Sequence, residues 1–583
     1  MKKKFMIILL AVAMLLPLSA CKKEPTDTGK PISSEEFKSL MLDWFREDMA
    51  SDYTNLHFSL ENPEKYGITD VEVSLGEIES NDEDFQQLKD RLAVLEGLST
   101  KELTEDQKIA YDSLLTLYRN NLDWEPVEHD YTFVFSPNHG INNNLTTVYT
   151  EFVLRSEQDA KDLITLVLDS KRYIELGIAY TRDQFDEDIV QSDAVIDMVV
   201  EQCERFISKR EDNEVIRTFN ENLEELNLEN EDEYKKQMKD AVLNVLIPAY
   251  EEIIAMYDEI KGSGKGKGSI ASYGDEGKHY YELLFRDKSS SDVSVKEWEE
   301  ILRKEIEDLI NEEIAFARKY YSAYVKWYQG EYSYGMDEAY EIFTALKEKL
   351  VSDFPMYPEV DYTISYLDPS VTSENVSAYY LVAPFDNMNT NVVKANPAYS
   401  DNDPNGYVVT LAHEGYPGHL YQTTYYFTSH PDSEIRYVTD FIGYTEGWAM
   451  YVEEYAMDYF STDSKIARID QVDNRLNYYL EAYLDILVNY EGYSVKKLAN
   501  ALNAMDLNGD AASMIYDTLA GDPAIFVPYA LGLYQMLDLR DLAKDKLGSK
   551  FSSVEFNRTV LDAGCTSFAI LKQQVEKYIN SAK

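Results

Sequence analysis

The chain has 583 residues, 44% of them hydrophobic and 28% charged, which is ample for a large buried core and too apolar for general disorder. Its formal net charge of −51 repels phosphate backbones and anionic headgroups, which argues against nucleic-acid binding. Charge alone leaves the reaction open.

The first 21 residues, "MKKKFMIILLAVAMLLPLSAC", join a basic segment at Lys2, Lys3 and Lys4 to an apolar run too short for a final membrane anchor. Small residues follow, as in a secretory signal over residues 1–20. Ending in Leu18-Ser19-Ala20-Cys21, the segment resembles the lipobox of bacterial lipoproteins. That resemblance implies cleavage before Cys21, lipid on its thiol, and an extracytoplasmic chain held at the membrane by that lipid. Loss of the three lysines takes the formal charge to −54. Residues 21–33 are polar, carry two prolines and show no apolar period, as expected of a tether. No second stretch of about 20 apolar residues follows. Only Cys203 and Cys565 remain beyond Cys21; whether they pair is open, and no disulfide framework exists to carry stability.

From Ser34 to about Leu350 the chain reads mostly as helices. "ISSEEFKSLMLDWFREDMA" opens with a Ser-x-x-Glu cap and continues with apolar residues at three- and four-residue spacing. Similar periods run through "SEQDAKDLITLVLDSKRYIELGIAY", "SDAVIDMVVEQCERFISKR", "DEYKKQMKDAVLNVLIPAYEEIIAMYDEI" and "SVKEWEEILRKEIEDLINEEIAFARKYY". Their solvated faces account for much of the acidity. "KGSGKGKGS", residues 261–269, lacks the G-x-x-x-x-G-K-[ST] spacing of a phosphate cradle and is read as a mobile surface loop. Between about Asp361 and Thr410, "YTISYL", "AYYLVAPF" and "NVVKAN" are rich in aromatic and β-branched residues and predict a small sheet. "DNDPNG", residues 401–406, resembles half a calcium loop, but Ala412 stands where the glutamate belongs, so a turn is expected. After Val408 the pattern is helical again, with breaks near Gly492 and Asn508. The fold class is thus mostly α, with a small β-sheet before the motif described next. A helical N-terminal region, 34–350, and a metal-site region, 351–583, are expected to form one continuous two-lobed domain.

"LAHEGYPGHLYQ", residues 411–422, places two of the seven histidines beside a glutamate. Zinc takes imidazoles and carboxylates, with three protein ligands and an open position at a catalytic site. The spacing is unusual, since His419 falls two residues later than H-E-x-x-H allows. Four residues turn a helix by about 40° net and keep both imidazoles on one face, whereas six give about 240°. Pro417 and Gly418 disrupt a regular helix, so either a bulge or a helix break lets His413 and His419 converge. Spacing does not choose between them. The third ligand should be a carboxylate on a following helix. "GYTEGWAMYVEEYAMDYF", residues 443–460, offers Glu446, with Glu453 two turns on along the same face, placed to orient a histidine.

"HEGYPGH" followed by "TEGWAMY" resembles the bacterial family catalogued as domain of unknown function 885, whose members carry H-E-[AG]-x-P-G-H and E-G-W-A-x-Y. "GDEGKHYYELLFRD" and "PYALGLYQMLDLRDLAKDKLG" extend the resemblance over most of the mature chain. The family is regarded as zincin-like, with a helical scaffold similar to thimet-type oligopeptidases and Taq-type carboxypeptidases. The resemblance implies one zinc per chain on His413, His419 and Glu446, with Glu414 as general base. It also implies Tyr529 as a donor to the oxyanion; Arg540, eleven residues on, is a candidate for binding a peptide carboxylate. Leu420 and Asn557 depart from the family, which often has histidine at both positions; the second bears on a substrate contact.

Three readings follow. The first is a lipid-anchored zinc metallopeptidase acting on short peptides, with no nucleic acid and no obligate protein partner. The second is a zinc amidase acting on cell-wall material, and the third a non-catalytic solute-binding or structural lipoprotein whose metal site has decayed. Peptide preference, exo- or endo-action, oligomeric state and the identity of the metal are not set by the residues.

Overall fold

The computed structural model describes residues 29–78, 82–127, 129–367, 377–505 and 507–583; the signal sequence, Cys21 and the tether up to residue 28 lie outside them. Helix makes up 71% of the chain and strand 3%, so the mostly α class holds. Among the described residues, no helix is long and apolar enough to cross a membrane.

The N-terminal cap is built from the residues that predict it. Ser33 Oγ accepts the Glu36 N–H at 3.3 Å, and Glu36 Oε2 accepts the Ser33 N–H at 2.9 Å, which starts helix Ser34–Ser51. Just before it, Lys30–Pro31 (β1) pairs in parallel with Leu98–Ser99 (β2), so the end of the expected tether is ordered by backbone pairing, which needs no apolar side chains. The long amphipathic segments form helices Glu157–Asp186, Asp193–Ser208 and Val295–Lys319. The segment around Pro248 is less regular. A π-turn at Val242–Leu246 separates helices Glu231–Ala241 and Ile247–Ile260, because the proline offers no N–H to the turn before it.

Residues 261–269 form the expected surface loop; Lys261 pairs with Asp197, and Lys265 with Asp188 at 2.9 Å. Cys203 and Cys565 are both free.

The largest core joins Trp298 and Phe285 from the first half of the chain to Leu411, Trp448, Tyr451 and Leu531 from the second. A separate core lies among helices of residues 135–260. The small sheet appears where its residues predict it, as Tyr362–Tyr366 (β3), Ala378–Leu381 (β4) and Asn391–Ala395 (β5). Its order is β3-β5-β4, with β3 parallel and β4 antiparallel to β5, so β4 is an edge strand among the described residues.

His57 illustrates how a histidine is spent on packing. Its ring stacks on Phe152 with centroids 3.6 Å apart, and Nε2 lies 3.1 Å from the Val153 carbonyl. Burial first, and then the Arg155 charge, depress its pKa to about 3, although Asp159 Oδ1 stands 3.7 Å from Nδ1. A depressed histidine is neutral in the folded state, so the stability tied to that neutrality is lost as pH falls below the unfolded value of about 6.5. At pH 5 this costs about 2 kcal/mol. Acidification from pH 7 to 5 is therefore expected to lower the thermal midpoint more in the parent than in a His57→Phe variant, and equal slopes would contradict the assignment.

Candidate metal centre

The first histidine sits on helix Pro404–Glu414. Asp403 starts it, its Oδ1 accepting the Gly406 N–H at 2.9 Å, with Pro404 at the first position, where no amide donor is needed. "DNDPNG" is therefore the end of the short helix Pro397–Asn402 followed by a helix cap, rather than an open turn. His413 lies in the last turn. The chain then leaves the helical path at Gly415, and a new helix, His419–Ser429, begins at the second histidine. A helix break, not a bulge, accommodates the six-residue spacing.

Two glycines and a tryptophan shape that break. A Cβ on Gly418 would stand 1.7 Å from the His413 carbonyl oxygen, and one on Gly415 would stand 2.1 Å from the Phe343 ring. The Tyr416–Pro417 peptide is cis. The Trp448 indole N–H donates to the Pro417 carbonyl at 2.9 Å, tying the break to the helix that carries the acidic residues.

That helix, Ile442–Phe460, is pressed against helix Val527–Leu547 at a glycine pair. A Cβ on Gly447 would meet Gly532 atoms at 2.6 Å, so only glycine permits this approach. Glu446 thereby reaches both imidazoles. Its Oε2 lies 3.4 Å from His413 Nε2 and 3.6 Å from His419 Nε2, and one ligand atom from each of the three residues falls within 4.8 Å of the others. Four ligands at 2.0–2.1 Å around a tetrahedral zinc stand about 3.3 Å apart. The two carboxylate–imidazole spacings lie close to that value, and Glu446 Oε2 is buried with no hydrogen-bond partner. Such an orphaned acceptor is what a cation would satisfy.

Glu453 takes the orienting position. Its Oε1 lies 2.9 Å from His413 Nδ1, and its Oε2 accepts the Asn474 amide at 2.9 Å. This leaves Nε2 of His413 facing Glu446, as a metal-ligating histidine requires. Glu453→Ala is expected to weaken zinc binding about 10–100-fold in chelator competition; unchanged affinity would remove Glu453 from this role.

Electrostatics agree with the geometry. Burial disfavours a charged His413, yet Glu446, Glu453 and Glu414 outweigh it and raise its pKa well above the ordinary histidine value. Burial would raise the Glu446 carboxyl, but His419 and His413 hold it far below the carboxylate range. The cluster favours positive charge at its centre, whether proton or cation.

Glu414 lies beside it, Oε1 3.9 Å from His413 Nε2. Its Oε2 accepts the Tyr380 N–H of β4 at 2.9 Å. Because the Asn396 N–H donates to the Ser377 carbonyl, the alternation of an antiparallel pair turns Tyr380 N–H off the free edge of the sheet. Burial pushes the Glu414 carboxyl up, against the charges of His413 and His419. Tyr529 also comes to the site, its ring 6.5 Å from that of His413 and 6.3 Å from that of Tyr478. Burial first, then Glu446 and Glu414, raise its phenol, so the O–H keeps its proton at neutral pH.

Arg540 and Asn557 are placed differently. Arg540 lies over the Tyr451 ring, 3.1 Å from Asp541 and 3.8 Å from Glu454, which itself pairs with Arg475. These contacts are those of a packed ion network. Asn557 is fully buried, accepting the Tyr451 hydroxyl at 3.1 Å and donating to the Asp353 carbonyl at 2.8 Å. Leu420 is likewise buried in the core. Sequence reasoning misses Asn474, Tyr478 and the Tyr380 amide. The first two lie on one face of helix Ser464–Asn489, four residues apart, but no motif marks them.

A model of the family described as "Bacterial protein of unknown function (DUF885)" matches residues 65–575. No curated protein matches. Among solved structures, "the putative lipoprotein from Colwellia psychrerythraea" is 17% identical, with a TM-score of 0.81 over 94% of this chain and 100% of that one. "A putative lipoprotein of unknown function from Shewanella oneidensis" is 15% identical, with a TM-score of 0.60 over 93% of this chain and 99% of the other. At these identities the likeness is one of fold.

Proposed function

This chain belongs to the bacterial protein family of unknown function DUF885, and from the geometry of its His–His–Glu cluster we propose that it is a zinc-dependent metallopeptidase. It acts on short peptides outside the cytoplasmic membrane, to which lipid on Cys21 holds it, and its scaffold is zincin-like. The descriptions of both similar structures as lipoproteins support the anchored reading. The observation that carries the catalytic reading is Glu446 Oε2, buried without a hydrogen-bond partner between two imidazoles.

His413, His419 and Glu446 would hold the ion, with Glu453 fixing the His413 ring, and zinc bound there would supply a Lewis acid and lower the pKa of water. Glu414 takes a proton from the attacking water as oxygen adds to the peptide carbonyl carbon, and returns it to the nitrogen as the C–N bond breaks. The Tyr380 N–H holds Glu414 in place for both transfers. Tyr529, kept protonated, donates its O–H to the oxyanion of the tetrahedral intermediate. With the Tyr380 N–H held by Glu414, the rest of the outer edge of β4 favours an extended peptide whose backbone pairs beside that point.

The test is mass spectrometry of zinc-loaded chain incubated with short peptides and, in parallel, with cell-wall muropeptides. Cleavage of the peptides is expected. Cleavage of muropeptides alone would move the assignment to a wall amidase, and binding of either without turnover would favour the non-catalytic lipoprotein.

A further inference from the structure

Beside the metal cluster lies a cavity of about 490 Å³. Its wall includes Tyr380, whose amide holds Glu414, Gln422, one turn beyond His419, and Thr445, the neighbour of Glu446. The cavity therefore adjoins the place where a substrate of the centre would sit. Much of the remaining wall is aromatic, from Phe58, Tyr426 and Tyr437 among others.

Two charged side chains line it, and they differ in what they have left to offer. Arg436 is 2% exposed; Nη1 donates to Ser113 Oγ at 2.9 Å, and Nη2 to the Ala563 and Cys565 carbonyls at 2.9 and 2.5 Å. Its two Nη atoms are spent on joining three chain segments, and its Nε, buried without a hydrogen-bond partner, is closed to solvent. Among the described residues, Asp440 is the one carboxylate in the wall. It is exposed and, among the described residues, makes no hydrogen bond or ion pair. It also lines a second cavity of about 360 Å³ that carries Lys288, so it stands where the two cavities meet. Surrounding protein raises its carboxyl by desolvation, with Lys288 opposing and Glu446 adding to the rise. Such a carboxylate stands open to a ligand yet is crowded by protein, and a cation relieves it more than it would a fully solvated acid.

We propose that this cavity selects peptides bearing a positive charge beside the scissile bond, with Asp440 as the counter-charge. The inference rests on the peptidase reading above. Aromatic walls suit the aliphatic stem and cationic head of lysine or arginine. The −51 net charge of the chain draws cationic peptides toward it from a distance. The recognised group is an ammonium or guanidinium, whether on a side chain or at a free amino terminus.

Binding can be read without turnover in zinc-loaded chain carrying Glu414→Gln, by fluorescence anisotropy of labelled pentapeptides. N-acetylated peptides with central Lys, Leu or Glu report on the side chain, and a Leu peptide with a free amino terminus reports on the α-ammonium. The expected result is about tenfold tighter binding of a cationic peptide than of the acetylated Leu peptide. That ratio is expected to fall toward one in Asp440→Asn and to rise in Lys288→Met, which removes the competing cation. A ratio that Asp440→Asn leaves unchanged, or binding of none of the peptides, would overturn the proposal. Cationic preference that depends on Asp440, together with no cleavage of any peptide by chain retaining Glu414, would sustain the cation site while refuting the peptidase reading.

Discussion

Replacing His413 and His419 together with alanine is expected to reduce bound zinc from about one ion per chain to less than about 0.1. The double variant keeps only Glu446 of the three groups that meet at the cluster, and a single carboxylate does not hold zinc against dialysis. Added zinc should also raise the thermal midpoint of the parent, because an ion bound only by the folded state at a thousand times its Kd contributes about 4 kcal/mol. The double variant should show no such rise. The two readouts guard each other: a misfolded variant loses zinc but also has a lowered midpoint in chelator, whereas a variant that has lost only its ligands matches the chelated parent.

Glu414→Gln should separate binding from chemistry. Glutamine keeps the length of the side chain and an oxygen to accept the Tyr380 N–H that now meets Glu414 Oε2 at 2.9 Å. What it lacks is a site that accepts and returns a proton near neutral pH. Peptide turnover should therefore fall by about 10²–10⁴ in kcat, with zinc content unchanged and KM little altered. Full activity in this variant would remove Glu414 from the general-base role and direct attention to another carboxylate near the cluster.

Most of the helical scaffold is legible in the order of residues because amphipathic periods and caps are local. Ser33 and Glu36 specify their helix start within four residues, and the three strands of the small sheet are marked by their own side chains. Their order is not marked. That β4 is the edge strand whose amide reaches Glu414 depends on pairings across tens of residues. The convergence of His413, His419 and Glu446 is foreshadowed by residue type. The helix break that brings it about is one of two solutions that Pro417 and Gly418 permit equally. Gly447 and Gly532 look like ordinary helix glycines until two backbones are found in contact. Arg540 shows the converse: a guanidinium in a family-like motif invites a substrate role, but Glu454 lies close enough to engage it. Asp440 carries no motif at all, and only the meeting of two cavities singles it out.

The most direct test of the central claim is the fate of oxygen during hydrolysis. Chain reconstituted with one equivalent of zinc is incubated with a defined short peptide in H₂¹⁸O, and the products are weighed by mass spectrometry. Two fragments are expected, with one ¹⁸O in the new carboxyl group, and the reaction is lost in chelator and in Glu414→Gln. Stoichiometric zinc on His413, His419 and Glu446 with every peptide left intact would contradict that claim.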